Sequence, residues 1–124
     1  MSSVTRFEEL DSWQKARKLT KMVYSLSSKG GWANDFELRN QIRRAAISAM
    51  SNIAEGFERQ GANEFPHFLS IAKGSAGEVR SQLYVALDQD YIDEQTFEEV
   101  RSLAEETSRL IAGLHKYLKA RRVA

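Results

Sequence analysis

The sequence predicts an all-α protein, an antiparallel up-and-down four-helix bundle. Apolar residues recur at three- and four-residue spacing along four segments, and short connections separate these segments. The 124 residues include only one proline and seven glycines, which favours long uninterrupted helices. A chain of this length with 42% hydrophobic residues forms one domain, residues 1–124, with a substantial core.

The first predicted helix spans residues 10–28, and Asp11 is suited to be its N-cap. Its core side consists of residues at helical spacing: Trp13, Ala16, Thr20, Val23 and Tyr24. We expect residues 27–34 to form a loop because Gly30 and Gly31 interrupt the pattern. Trp32 in that loop is expected to close one end of the bundle.

The second predicted helix spans residues 35–59, with Asn34 or Asp35 as its N-cap. Its core line consists of Ile42, Ala45, Ala46, Ala49, Ile53 and Phe57. Ile47 and Ala54 project away from this line, so the apolar arc is wider than one packing partner requires. A second subunit would account for the extra width.

The third predicted helix spans residues 64–89 and follows Asn63, a good N-cap residue. Its apolar stripe consists of Phe68, Ala72, Ser75, Ala76, Val79, Leu83, Ala86 and Leu87. Gly74 and Gly77 lie in mid-helix, where each glycine costs about 1 kcal/mol. We expect these glycines to let the alanine-rich side of the second helix approach closely.

The fourth predicted helix spans residues 96–121, and Thr96 with Glu99 fits a capping box at its start. Its core side consists of Val100, Leu103, Thr107, Leu110, Ile111, Leu114 and Leu118. Basic residues crowd its end, where they suit the helix dipole: Lys116, Lys119, Arg121 and Arg122.

Composition excludes several classes of function. The net charge of +1 provides no global field that would concentrate nucleic acid, so such a role would need a basic patch. The absence of cysteine excludes disulfides, thiolate metal sites and thiol nucleophiles. The sequence has no signal-peptide pattern and no apolar run long enough to cross a bilayer, so we expect a cytoplasmic protein without membrane contact.

Catalytic and cofactor motifs are absent from the sequence. It contains no nucleophile elbow, Walker loop or dinucleotide fingerprint. Residues 64–67 have the Glu-x-x-His spacing of di-metal bundles, but His115 has Ala112 three positions before it, so half of the ligand set is missing. We therefore expect no enzyme activity, no metal and no cofactor.

Several residues of the second and third helices are candidates for structural or interface roles: Asn52, Ala54, Glu55, Gly74, Ser75 and Glu78. Glu55 and Glu78 would also suit paired acid–base chemistry. A buried or interfacial carboxylate needs a partner, however, and we expect Arg44 to pair with Glu55. Asn52 is expected to fix helix packing through hydrogen bonds.

Two basic sets are candidates for nucleic-acid binding: Arg43, Arg44 and Arg59 on the second helix, and Lys73, Arg80 and Tyr84 on one flank of the third. Arginine forks and an aromatic ring suit phosphate contact and base stacking. The alternative is that these cations form salt bridges with glutamates of the same helices or of neighbouring subunits.

Four segments carry a resemblance to a known family: residues 10–16, 41–46, 51–56 and 68–75. Through them the chain resembles the bacterial four-helix bundle proteins related to those encoded in intervening sequences of 23S ribosomal RNA genes. The resemblance implies a ring-like homopentamer. That family is also similar to the accessory protein of diversity-generating retroelements, a pentameric bundle with a basic surface that works with a reverse transcriptase and nucleic acid.

Two functions are compatible with these observations. The first is a non-catalytic oligomeric scaffold that binds a protein or copies of itself through the wide apolar arc of the second helix and the flank of the third. The second is an accessory protein that binds RNA or DNA through a basic surface repeated on the oligomer.

Overall fold

The computed structural model describes residues 3–59 and 61–123, without the side chains of Arg122 and Val123. Within these ranges the chain is helical and contains no strand. It consists of a 3-10 turn (Phe7–Glu9), four long helices, α1 (Asp11–Ser27), α3 (Phe36–Arg59), α4 (Glu64–Asp88) and α5 (Glu94–Val123), and a short helix α2 (Gly30–Asn34). The all-α bundle is confirmed, and the long helices lie within two residues of their predicted bounds. The predicted interaction of Arg122 with the helix end falls outside the described side chains.

The long helices form a four-cornered bundle. α1 packs on α3 and α5, and α4 packs on the same two helices, so α1 lies diagonally across from α4 and α3 from α5. Short connections between packed neighbours make successive long helices antiparallel. The contact between α3 and α4 is the most extensive of the bundle.

Aspartates cap α3 and α5. Asp35 Oδ1 accepts a hydrogen bond from the Leu38 N–H at 3.1 Å, which confirms one of the two predicted caps of α3. Asp93 Oδ1 accepts one from the Thr96 N–H at 2.7 Å, and this hydrogen bond lowers the pKa of Asp93. The predicted Thr96–Glu99 capping box is therefore wrong, because Asp93 supplies the cap and the helix begins at Glu94.

Two other predicted caps are also wrong. Asp11 is the first residue of α1, because the preceding 3-10 turn delivers the buried Leu10 into the cap position. Asn63 occupies the cap position of α4, but its side chain makes no capping hydrogen bond. Its backbone is already helical (φ −97°, ψ −21°), whereas a capping side chain normally requires an extended residue.

The predicted loop at residues 27–34 contains α2. Gly30 has φ +56°, a conformation that favours glycine, and the chain turns there into α2. This turn delivers Trp32 into the core, where it is fully buried and stacks on Tyr91 with 6.2 Å between ring centroids. Trp32 thus closes this end of the bundle, as predicted.

The hydrophobic core has two clusters. One lies at the Trp32 end and includes Leu19, Ile42 and Leu83. The other lies at the Leu10 end and includes Ile53, Leu69 and Ile111. Near their boundary each long helix contributes a hydroxyl residue to a set that we call the hydroxyl layer: Thr20, Ser48, Ser75 and Thr107.

Two hydrogen bonds of the hydroxyl layer join neighbouring helices. Thr20 donates to the Ala16 carbonyl of its own helix at 2.8 Å and also lies 3.2 Å from the Ala46 carbonyl, which joins α1 to α3. The Ser48 and Ser75 hydroxyls lie 2.8 Å apart and join α3 to α4. Thr107 instead donates to the Leu103 carbonyl of its own helix at 2.7 Å.

The core side of α1 differs from the predicted one at Tyr24. The buried line of α1 contains Leu19, which the sequence analysis omitted, whereas Tyr24 is 40% exposed. A helical rotation of 100° per residue moves residue 24 off the line through Leu19 and Val23. The Tyr24 ring instead lies beneath the Arg43 guanidinium, 4.5 Å from the ring centroid.

The close approach of α3 and α4 occurs at Gly56, not at the α4 glycines. A Cβ at Gly56 would lie 2.9 Å from the Phe65 and Phe68 side chains, so only glycine fits. A Cβ at Gly74 or Gly77 would meet nothing within 4 Å. The expectation that these two glycines admit the second helix is therefore wrong.

This difference predicts opposite effects of alanine at two helical glycines. Gly56→Ala should lower the free energy of unfolding by about 1–3 kcal/mol, because the new methyl overpacks against two phenylalanines. Gly74→Ala should raise it by about 0.5–1 kcal/mol, because alanine is the better helix former. Urea unfolding of both variants at one protein concentration measures the effects. A Gly56→Ala variant as stable as the unmodified protein would contradict the close approach.

The Tyr91 hydroxyl predicts a pH-dependent stability difference. It donates to Asp35 Oδ2 at 2.9 Å, and this hydrogen bond, followed by burial, raises the pKa of Tyr91. The hydrogen bond therefore stabilises the fold fully below pH 10.0 and is lost as the pH rises through the raised pKa. Tyr91→Phe should have a lower Tm than the unmodified protein at neutral pH, and the gap should shrink above about pH 10. Thermal melts followed by circular dichroism test this, and a gap independent of pH would contradict it.

Candidate functional site

A groove lies between α4 and α5 and has a volume of about 490 Å³. We call it the α4–α5 groove. Leu69 and Ile111 form its floor and are both fully buried. Its walls are mostly small residues: Ser70, Gly74, Gly77, Ser108 and Ala112. A backbone or a flat group can therefore approach both helices closely.

Two cations of α4 line this groove. Lys73 and Arg80 are both exposed and lie seven residues apart on the side of α4 that faces α5. Within residues 3–59 and 61–123 neither forms an ion pair with a carboxylate, in contrast to Arg59 and Arg101. The groove thus carries positive charge that its own walls do not neutralise.

His115 contributes a polar group to the same groove. Its Nε2 lies 3.2 Å from the Ser70 hydroxyl and joins α5 to α4 across the floor. His67, the other histidine, is exposed and packs edge-on against Phe68. No group of three or more His, Cys, Asp or Glu that could hold a metal occurs in the described part of the chain.

Tyr84 lies one turn beyond Arg80 on the same flank of α4. Its ring is 50% exposed and packs edge-on against Phe97 of α5, with 4.8 Å between centroids. The structure therefore brings Lys73, Arg80 and Tyr84 together on one surface, as their spacing predicts.

The three α3 arginines do not join that surface or one another. Arg43 donates to the Ser27 and Ser28 hydroxyls at 2.8 and 3.0 Å and so lies against α1. Arg44 lies in a separate groove between α3 and α4 that also contains Glu78. Adjacent helical residues diverge by about 100°, which sends these two arginines to different neighbours.

Arg59 forms ion pairs with two carboxylates at the end of α3. Its guanidinium lies 3.0 Å from Glu64 and 3.1 Å from Glu55, and hydrogen bonds to Glu64 and then Glu55 raise the pKa of Arg59. The guanidinium also lies over the Phe68 ring. The expected pairing of Glu55 with Arg44 is therefore wrong, because Arg59, one turn further along α3, takes that carboxylate.

Asn52 belongs to a polar seam between α3 and α4. Its amide donates to the Ser48 carbonyl at 2.8 Å and to the Ser48 hydroxyl at 3.0 Å. The Ser48 hydroxyl in turn contacts Ser75. Asn52 therefore orients the serine that joins the two helices.

The wide apolar arc of α3 leaves a line of apolar side chains at the surface. Phe36 is 61% exposed and Ile47 is 42% exposed, and Ala54 is half-buried on the same side. Tyr24 of α1 lies beside this line through its contact with Arg43. We call these four residues the outer α3 face. Ile47 and Ala54 were predicted from the sequence to lie off the core line, whereas Phe36 and the exposure of Tyr24 were not predicted.

The α5 side of the α4–α5 groove was not predicted from the sequence. Ser108 and Ala112 are small residues four positions apart, a spacing that places them on one side of a helix. That spacing was the available signal, but only the packing of α5 on α4 shows that they face Gly74 and Gly77.

The topology defines a class of protein, the antiparallel four-helix bundle with an additional short helix at one end. The 23S rRNA-intervening sequence protein family matches residues 8–113, and the chain belongs to that family. The chain is also similar to the crystal structure of a protein of unknown function from the S23 ribosomal protein family of Bacteroides thetaiotaomicron. That similarity has a TM-score of 0.77 at 23% identity and covers 85% of this chain and 95% of the other.

No curated protein matches this chain significantly. Among the helices described, none has the length and apolar character needed to cross a membrane.

The polar seam predicts a coupled pair of substitutions. Ser48→Ala should lower the free energy of unfolding by about 1–3 kcal/mol, because it leaves the buried Ser75 hydroxyl without its partner. Removing both hydroxyls should cost less than the sum of the single changes, with a coupling of about 0.5–1.5 kcal/mol. Urea unfolding of Ser48→Ala, Ser75→Ala and the double variant measures this coupling. Strict additivity would contradict a hydrogen bond between the two serines.

Proposed function

We propose that this protein is a non-catalytic cytoplasmic scaffold that assembles with copies of itself through the outer α3 face. The supporting observation is that Phe36 and Ile47 are exposed and Ala54 is half-buried on one side of α3. Burying a side chain such as Phe or Ile contributes about 1.5–3 kcal/mol. Exposed large apolar side chains aligned on one side of a helix suit a protein–protein contact.

The opposing surface of the neighbouring copy is a pair of exposed side chains on α4. Ile71 and Val85 are 14 residues apart, about four helical turns, and lie on the same side of α4. A ring forms when one patch of a subunit contacts a different patch of the next. The outer α3 face and the α4 pair are two such patches, which suits the homopentameric ring implied by the family resemblance.

A non-catalytic role is supported by the ion pair of Glu55, one of the two candidate acid–base groups, and by similar pairs of other glutamates; Glu78, the second candidate, lines the groove that contains Arg44. Glu55 and Glu64 both contact Arg59, and Glu98 and Glu105 both contact Arg101. Arg101 holds the pKa of Glu98 below its usual range. These carboxylates are charged partners of arginines and are poorly suited to exchange protons near neutral pH.

Assembly predicts a solution mass well above 14.1 kDa, and about five times that mass for the pentameric ring. Ile47→Asp should reduce the mass toward the monomer, because a charge on the outer α3 face would have to be desolvated in the interface. Ile71→Asp should act in the same direction. Light scattering coupled to size-exclusion chromatography measures the mass of each variant.

Tyr117→Asp is the matched control for these variants. Tyr117 is 37% exposed, comparable to Ile47, and lies on α5, diagonally across the bundle from α3. Its substitution should leave the mass unchanged. A monomeric unmodified protein would overturn the scaffold proposal, and an unchanged mass for Ile47→Asp would show that the outer α3 face is not the contact.

The alternative function, a nucleic-acid accessory protein, needs basic residues that act together. Arg43, Arg44 and Arg59 lie on separate surfaces, so they do not favour it. Lys73 and Arg80 share the α4–α5 groove and do favour it.

A further inference from the structure

We propose that the α4–α5 groove binds a single strand of nucleic acid, with Lys73 and Arg80 on phosphates and the Tyr84 ring against a base. This role goes beyond self-assembly and does not depend on the outer α3 face. It rests on the charge of the groove, on the shape of its walls and on the exposed aromatic ring at its end.

The charge of the groove calls for an anionic occupant. Lys73 and Arg80 are about 10 Å apart along α4, at 1.5 Å rise per residue, so they can contact different phosphates of one strand. Neither cation has a carboxylate partner within the ranges that the structure describes. On the neighbouring helix Arg101 and Arg109 both contact Glu105 and so neutralise that carboxylate.

The walls of the groove suit a phosphate backbone. Gly74 and Gly77 lower the stability of α4, because glycine is a poor helix former. No other part of the protomer fills the space beside them, since a Cβ at either position would meet nothing within 4 Å. The same space lets a phosphate backbone lie directly against α4. The Ser70 and Ser108 hydroxyls line the groove, and hydroxyls commonly bind phosphate and sugar oxygens.

Tyr84 favours a single strand over a duplex. Its ring is held edge-on by Phe97 and leaves half of its surface exposed, about 16 Å from Lys73 along α4. Stacking on such a ring requires an unpaired base, and aromatic stacking next to a basic groove is typical of single-strand binding.

The floor of the groove argues against an acidic amphipathic helix as the occupant. A helix that docks in a groove inserts apolar anchors among exposed apolar side chains. Leu69 and Ile111 are fully buried and offer no such surface, so the accessible lining comes from small residues and from the long side chains of Lys73 and Arg80.

The test is fluorescence anisotropy with labelled single-stranded RNA and DNA of about 20 nucleotides, titrated with the full chain at about 50 mM salt. K73E/R80E should weaken binding of both probes at least tenfold. Arg80→Ala should reduce the slope of log affinity against log salt by about 0.7. Tyr84→Ala should weaken binding about tenfold, whereas Tyr84→Phe retains the stacking face and should bind normally.

K18E/K21E is the matched control for charge. Lys18 and Lys21 are exposed on α1, diagonally across from α4, and their reversal changes the net charge by the same amount. K18E/K21E should weaken binding of the labelled strands by no more than about threefold, because it changes only the overall charge of the protein. An equal loss in K18E/K21E and K73E/R80E would overturn the groove as the binding site.

Gly77→Leu tests the groove without changing charge. A Cβ at this position meets nothing within 4 Å and leucine is a good helix former, so the helix content should be retained, but the side chain would lie in the groove and should weaken binding at least tenfold. Light scattering on the same samples separates this role from assembly, because a monomer that still binds RNA overturns only the scaffold. Failure of the unmodified protein to bind either probe, or normal binding by Gly77→Leu, would overturn the nucleic-acid site.

Discussion

The short distance between α3 and α4 is the constraint on which the other features of this protein depend. Ala46, Ala49, Ala72 and Ala76 are fully buried, and Gly56 leaves no room for a methyl beside Phe65. Small side chains let the two helices pack closely over a long contact. Only at that distance do the short Ser48 and Ser75 side chains reach each other. A close contact on one side of α3 also leaves its opposite side outside the core, which is where Phe36 and Ile47 lie.

Much of the fold could be predicted from the sequence because the helices are long and regular. The apolar line from Ile42 to Phe57 is buried as its periodicity predicts, and a strong 3.6-residue pattern leaves few alternatives. The errors lie at helix ends, at Tyr24 on the core side of α1 and at the α4 glycines. Asp93 and Thr96 are both good capping residues, and the choice between them depended on where the preceding turn directs the chain. The short helix α2 was missed because the burial of Trp32 against Tyr91 is a tertiary effect that no local pattern contains.

The candidate site could be predicted only where its residues share one helix. Lys73, Arg80 and Tyr84 lie on one flank of α4, and their spacing was sufficient to group them. Partners on other helices could not be foreseen. Arg43 and Arg44 are neighbours in sequence, yet one contacts α1 and the other lies beside α4. For the same reason Ser108 and Ala112 were not predicted, because they face the α4 glycines only after α5 packs on α4.

The position of the hydroxyl layer at mid-length has a consequence for the way the molecule opens. An apolar core that is interrupted by polar groups consists of two shorter cooperative units, each of which can loosen while the other persists. Thr107 bonds only within α5, so the cross-helix hydrogen bonds of the layer hold α1, α3 and α4 but not α5. At this level α5 is held by side-chain packing alone, and if the two halves of the core loosen separately, native-state hydrogen exchange would register two levels of amide protection along that helix.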